Sequence, residues 1–163
     1  MRAWDALKLL AADQARHMRD ADHVTVFLRA LRALIRAGKA HLASAAGTAP
    51  ASFRRWGWRA RETFSVAAGA GESYDPGGEC IGWVAEDDVY LDSSASYKAA
   101  RQWAEQAGIS LGVSRDQLSD DMAARGVVAG TDKDRSTVRR DVAGKRSHRV
   151  IYLTVSQFES YGE

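Results

Sequence analysis

Two capped helical patterns, Asp92 to Gly108 and Ser114 to Gly126, precede an alternating and strongly basic hairpin from Thr137 to Val155. Together they predict an α+β fold. Helix, turn, helix and two-stranded hairpin is the order of a winged helix-turn-helix domain, here preceded by an N-terminal helical hairpin. The expected division is a helical extension over residues 1–47, an irregular glycine-rich connection over 48–79, and the winged-helix domain over 80–163.

The first helix is expected from Ala3 to Arg19, where Trp4, Leu7, Leu10, Ala11 and Ala15 recur at helical spacing. Asp20 and Asp22 are cap residues for a second. In it Val24, Phe27, Leu28, Leu31, Leu34, Ile35 and Leu42 share one broad apolar face, and Arg29, Arg32, Arg36 and Lys39 fall mostly on the other. Gly47 and Pro50 are its expected stop.

The middle is less regular. FRRWGWRARETFSV mixes aromatic and arginine residues and reads as a strand pair, and AAGAGESYDPGG reads as a loop. That loop has no GxxxxGK[ST] pattern, so a phosphate cradle is not expected. CIGWVAEDDVYLD predicts a hairpin with strands Ile81 to Val84 and Val89 to Leu91 around the acidic turn Glu86-Asp87-Asp88.

Asp92, Ser93 or Ser94 then caps a helix with Tyr97, Ala100, Trp103 and Ala104 on one face, ended by Gly108. After an extended link from Ile109 to Val113, Ser114 caps a helix with Leu118 and Met122 facing inward and Gly126 as its stop. Val127 to Ala129 is a short strand and Gly130 to Ser136 a polar bend. In the closing hairpin Val138, Val142, Val150, Tyr152 and Leu153 are core candidates, and the turn falls at Ala143-Gly144-Lys145.

Charge is concentrated at that hairpin. The whole chain of 163 residues has a net charge of +2. Between Asp132 and Arg149 seven basic residues face three acidic ones, a local +4. A duplex presents dense negative charge, so Arg135, Arg139, Arg140, Lys145, Arg146, His148 and Arg149 are candidate backbone contacts, with Arg115 and Gln117 on the preceding helix as marginal base readers. The alternative is a solvated edge strand whose charges prevent edge-to-edge pairing. Asp116, Asp120 and Asp121 on the same helix suit a helix N-terminus and repel a duplex. Arg54, Arg55, Trp56 and Trp58 form a second cluster, with three readings open: stacking on unpaired bases, a protein interface, or core with snorkelled arginines.

GWV with its aspartate turn and VYLD, the Tyr97 to Gly108 helix, Val113-Ser114-Arg115, the Ala123 to Gly126 helix end and the strand Thr137-Val138-Arg139-Arg140 carry a resemblance. Together they resemble the C-terminal winged-helix region of replication helicase or primase-helicase proteins of bacterial plasmids and prophages. The resemblance covers the C-terminal half firmly and most of the chain loosely. It implies an accessory DNA-binding or assembly domain of a mobile-element replication system, without a motor, since no Walker motif is present. It also implies a more basic helix after Ser114-Arg115 than DQLSDD provides.

No enzyme, cofactor or metal is expected. His17, His23, His41 and His148 are scattered and not spaced with Cys80 as zinc ligands. Cys80 lacks a neighbouring histidine in sequence, and no serine sits in a GxSxG setting. A single cysteine, no long apolar stretch and an N-terminus that does not read as a signal peptide lead to the expectation of a cytoplasmic chain away from membranes. The expected partner is DNA, duplex before single-stranded. A replication helicase or primase, or a second copy held through the N-terminal helices, is the alternative, as is a free-standing transcription regulator.

Overall fold

A computed structural model describes residues 23–65 and 69–162. The expected helix from Ala3 to Arg19 lies outside the described residues. The rest is mixed α+β: among the described residues, four α-helices pack with a five-stranded mixed sheet and a separate two-stranded antiparallel sheet.

Helix α1, residues 23–36, buries Val24, Phe27, Leu28, Leu31 and Ile35, the face expected from its periodicity. It stops earlier than expected. Gly38 adopts φ of 67°, the Lys39 N–H reaches the Leu34 carbonyl at 2.9 Å, and the Gly38 N–H reaches Ile35 at 3.0 Å. This pair of bonds closes the helix on a left-handed residue that glycine adopts without a Cβ penalty. Leu42 therefore sits on strand β1 (Ala40–Ser44), not on the helix. The same bond pattern ends the two later helices at Gly108 and Gly126, where the sequence places their stops.

The glycine-rich segment is also more ordered than expected. After a 3₁₀ turn, Phe53–Trp56, strands β2 (Trp58–Ser65) and β3 (Gly69–Pro76) pair antiparallel from Trp58–Pro76 to Ser65–Gly69. The strand reading of FRRWGWRARETFSV holds for residues 58–65, and residues 69–76 form a strand where a loop was expected, while 48–52 and 77–78 are irregular as expected. Main-chain pairing tolerates the small residues that read as breakers.

The main sheet runs β1-β4-β5-β7-β6, with β4 at Glu79–Ala85, β5 at Asp88–Asp92, β6 at Val138–Val142 and β7 at Lys145–Thr154. Only β1 and β4 are parallel; the other neighbours are antiparallel. The pairing of β1 with β4 puts chain from both sides of the expected 48–79 connection into one sheet. Leu42, Ile81, Val89, Leu91, Ile151 and Leu153 are fully buried in the core with α1.

Helix α2 (Ser93–Gln106) follows β5 directly. Helix α3 (Arg115–Ala124) begins after the link that Tyr97 fastens by donating to the Val113 carbonyl at 2.7 Å. Leu118 and Met122 of α3 are buried, as expected. The expected strand Val127 to Ala129 is reduced to an edge contact: the Ala129 N–H donates to the Tyr152 carbonyl at 2.7 Å, and Gly130 bridges to Tyr152. Helix α4 (Val155–Ser160) is capped by Thr154. Arg32, expected on the outer face of α1, is buried instead. It donates to the carbonyls of Phe158, Glu159 and Tyr161 at 2.8–3.1 Å. A cation at a helix C-terminus meets carbonyls that have no partner within the helix. No helix among the described residues is long and apolar enough to cross a membrane.

Candidate nucleic-acid interface

The basic hairpin β6–β7 is held at three places. Its turn has two residues, Ala143 and Gly144, both with positive φ (48° and 77°), between the paired Val142 and Lys145. Such a turn matches the right-handed strand twist. The Ala143 N–H donates to the Ala45 carbonyl at 2.8 Å just beyond β1, so the tip rests on the opposite edge of the sheet. Asp141 accepts the Ser147 N–H at 2.7 Å across the hairpin. At its base, His148 Nε2 meets Asp92 Oδ2 at 2.5 Å, while Asp92 Oδ1 caps α2 by accepting from Ser94 and Ala95.

Burial pushes the Asp92 carboxyl up. The Ala95 N–H, the hydrogen bond and charge of His148 and the Ser94 N–H outweigh it, so the group is held below the ordinary carboxylate range. Asp92 therefore joins α2 and β7 as a carboxylate.

A cleft of about 570 Å³ opens between the N-terminal ends of α2 and α3 and the base of the hairpin. It brings together Arg115, Arg135, Arg146, His148 and Arg149 from the expected set. Asp92, Asp116, Asp120 and Asp134 line it too, so its four arginines are matched by four aspartates. Arg115 donates to Asp116 at 3.1 Å and to the Ser94 hydroxyl at 2.9 Å, and Arg149 donates to Thr137 Oγ1 at 3.3 Å. Gln117 lies outside the cleft and donates to Asp121 at 2.8 Å. Asp121 also meets His23 of α1 at 2.7 Å, so this carboxylate ties α3 to α1.

Positive charge beyond that balance, from Arg139, Arg140 and Lys145, lies on the hairpin's own surface, next to Arg146 of the cleft. Arg139 and Arg140 of β6 and Lys145 and Arg146 of β7 are all exposed. Arg139, Arg140 and Asp141 are exposed in succession, and a register shift between Arg140 and Val142 falls at Asp141, where a bulge re-aims side chains.

The strand register adds a feature that periodicity did not reveal. Trp83 pairs with Tyr90, and Tyr90 pairs with Tyr152, so three aromatic residues stand side by side on β4, β5 and β7. Trp83 is buried, whereas both tyrosines are partly exposed, although Tyr152 was expected in the core. The tyrosine rings are stacked, with centroids 5.1 Å apart and planes 24° from parallel. Arg140 stands over both, 5.8 Å from the Tyr152 centroid and 6.0 Å from that of Tyr90, and the Lys145 ammonium lies 5.8 Å from the Trp83 ring. Tyr152 donates to Asp88 at 3.0 Å, and this bond to a carboxylate raises its pKa.

The second expected cluster is divided by burial. Trp56 and Trp58 are 4% and 8% exposed and offer no face to a base. Trp58 donates to the Leu42 carbonyl at 2.9 Å, and Trp56 packs near Phe158. Arg55 makes a bidentate pair with Glu159 and lies over the Trp56 ring. Arg54 is exposed beside Phe53. The core reading with outer arginines fits this cluster; the stacking reading of its tryptophans does not.

Among the described residues no group of three metal-ligating side chains converges. Comparison with family models, with curated proteins and with solved structures gives no match.

Proposed function

We propose that this chain is a non-catalytic nucleic-acid-binding module that holds a phosphate backbone through the β6–β7 hairpin. The observation that carries this reading is the exposure of Arg139, Arg140, Lys145 and Arg146 on one hairpin fastened at its tip and base. A hairpin whose main chain is fastened in this way presents its cations without rearrangement, and each neutralised phosphate releases condensed counterions.

The order α2, α3, β6, β7 supports a winged-helix reading, with the hairpin as the wing. Within it α3 acts as a packing helix more than a groove reader: Arg115 and Gln117 are engaged with Asp116 and Asp121, and Asp120 faces the cleft. The module grips a backbone and gains little from base edges. The resemblance to C-terminal regions of plasmid and prophage replication helicases supports an accessory place in a mobile-element replication system.

Gel shifts at low salt with a duplex test this reading. The parent chain binds, and the variant with Arg139, Arg140, Lys145 and Arg146 all changed to Gln loses binding. Equal binding by the two proteins refutes it.

A further inference from the structure

We propose that Tyr90, Tyr152 and Arg140 form a stacking site for one unpaired base of a nucleic-acid strand, so that the module recognises a junction between duplex and single strand. The proposal rests on the nucleic-acid reading above and names its ligand more closely.

Three observations carry it. The two tyrosine rings are stacked and partly exposed, and the strand pairing of Tyr90 with Tyr152 fixes them side by side. Their hydroxyls are both within reach of Asp88, at 3.4 Å and 3.0 Å, which holds the rings in place from their far ends. An aromatic surface fixed in this way accepts any base by its π-face and supplies no sequence preference.

Arg140 is the second component. Its exposed guanidinium stands over both rings from the neighbouring edge strand. A base entering here is covered by the guanidinium plane of Arg140.

Gly130 is the third. It bridges to Tyr152 at the sheet edge, and a Cβ there would lie 3.1 Å from the Tyr152 ring. Its φ is not in the left-handed region, so backbone conformation alone does not demand glycine. The missing side chain lets the ring lie close against the main chain at Gly130, and a larger residue there would displace it.

Fluorescence anisotropy with the full chain tests the proposal, using a blunt duplex and the same duplex carrying a single-stranded thymidine tail. The tail tightens parent binding by about tenfold. Tyr152→Leu and Gly130→Val remove that gain and leave blunt-duplex affinity unchanged, with circular dichroism confirming folded variants. In the unaltered protein, 5-iodouracil in the tail photo-crosslinks to Tyr90 or Tyr152. If the tail gives no gain, or the crosslink maps elsewhere, the stacking site is refuted while blunt-duplex binding leaves the backbone reading intact. Absence of binding to either probe refutes both.

Discussion

His148 of β7 and Asp92 at the start of α2 form the joint between the hairpin and the helices: one carboxylate oxygen meets the imidazole, and the other caps the helix. The pair lies partly out of solvent, with side-chain exposures of 30% and 13%. Asp92→Ala removes both contacts, whereas Asp92→Asn keeps a capping oxygen and discards the charge. Urea unfolding at neutral pH is expected to show a loss of about 2 kcal/mol for Ala and about half that for Asn.

The same residue gives a pH dependence with a definite sign. The folded Asp92 carboxyl has a lowered pKa, so as pH falls the unfolded chain takes up this proton first. Its contribution to stability is complete above the unfolded value of about 3.9 and is lost as pH falls through the lower folded value. Denaturation midpoints followed from neutral to acid pH are expected to drop less for Asp92→Asn than for the parent below about pH 4.

Arg32 fastens α4 to α1 by three carbonyls from a position only 7% exposed. Arg32→Met fills the space but leaves those carbonyls without their charged donor. A loss of about 2–3 kcal/mol is expected, read by thermal unfolding. Arg32→Lys recovers only a small part, because an ammonium lacks the guanidinium's planar fork.

Ala143 holds φ of 48° in the hairpin turn, a conformation that Asn and Gly adopt more readily. Ala143→Asn is expected to stabilise the protein by about 0.5–1 kcal/mol in urea unfolding, with the backbone bond to Ala45 retained.

Local signals were readable where the structure is local. Asp92 and Ser114 cap their helices, Gly108 and Gly126 end them, and the two hairpins β4–β5 and β6–β7 follow their alternation. Strand β1 was missed because Leu42 continues the helical spacing of Leu31 and Ile35. The decisive stop, Gly38, lies between Ile35 and Leu42, and the partner strand β4 comes much later in the chain. Parallel pairing of this kind leaves no short-range pattern. The basic surface was visible as a charge cluster. The Trp83-Tyr90-Tyr152 row was not, since it exists only once the registers of three strands are set. Likewise, the burial of Trp56 and Trp58 follows from packing against α4 and β1, which their mixture with arginines concealed.

The slope of log affinity against log salt concentration for a blunt duplex tests the hairpin's role most directly. Each phosphate contact contributes about −0.9 to that slope. The parent is expected to bind with a steep slope, flattened by about 3.6 units when Arg139, Arg140, Lys145 and Arg146 are changed to Gln. A parent slope near zero, or the same slope in both proteins, contradicts a backbone grip by this hairpin.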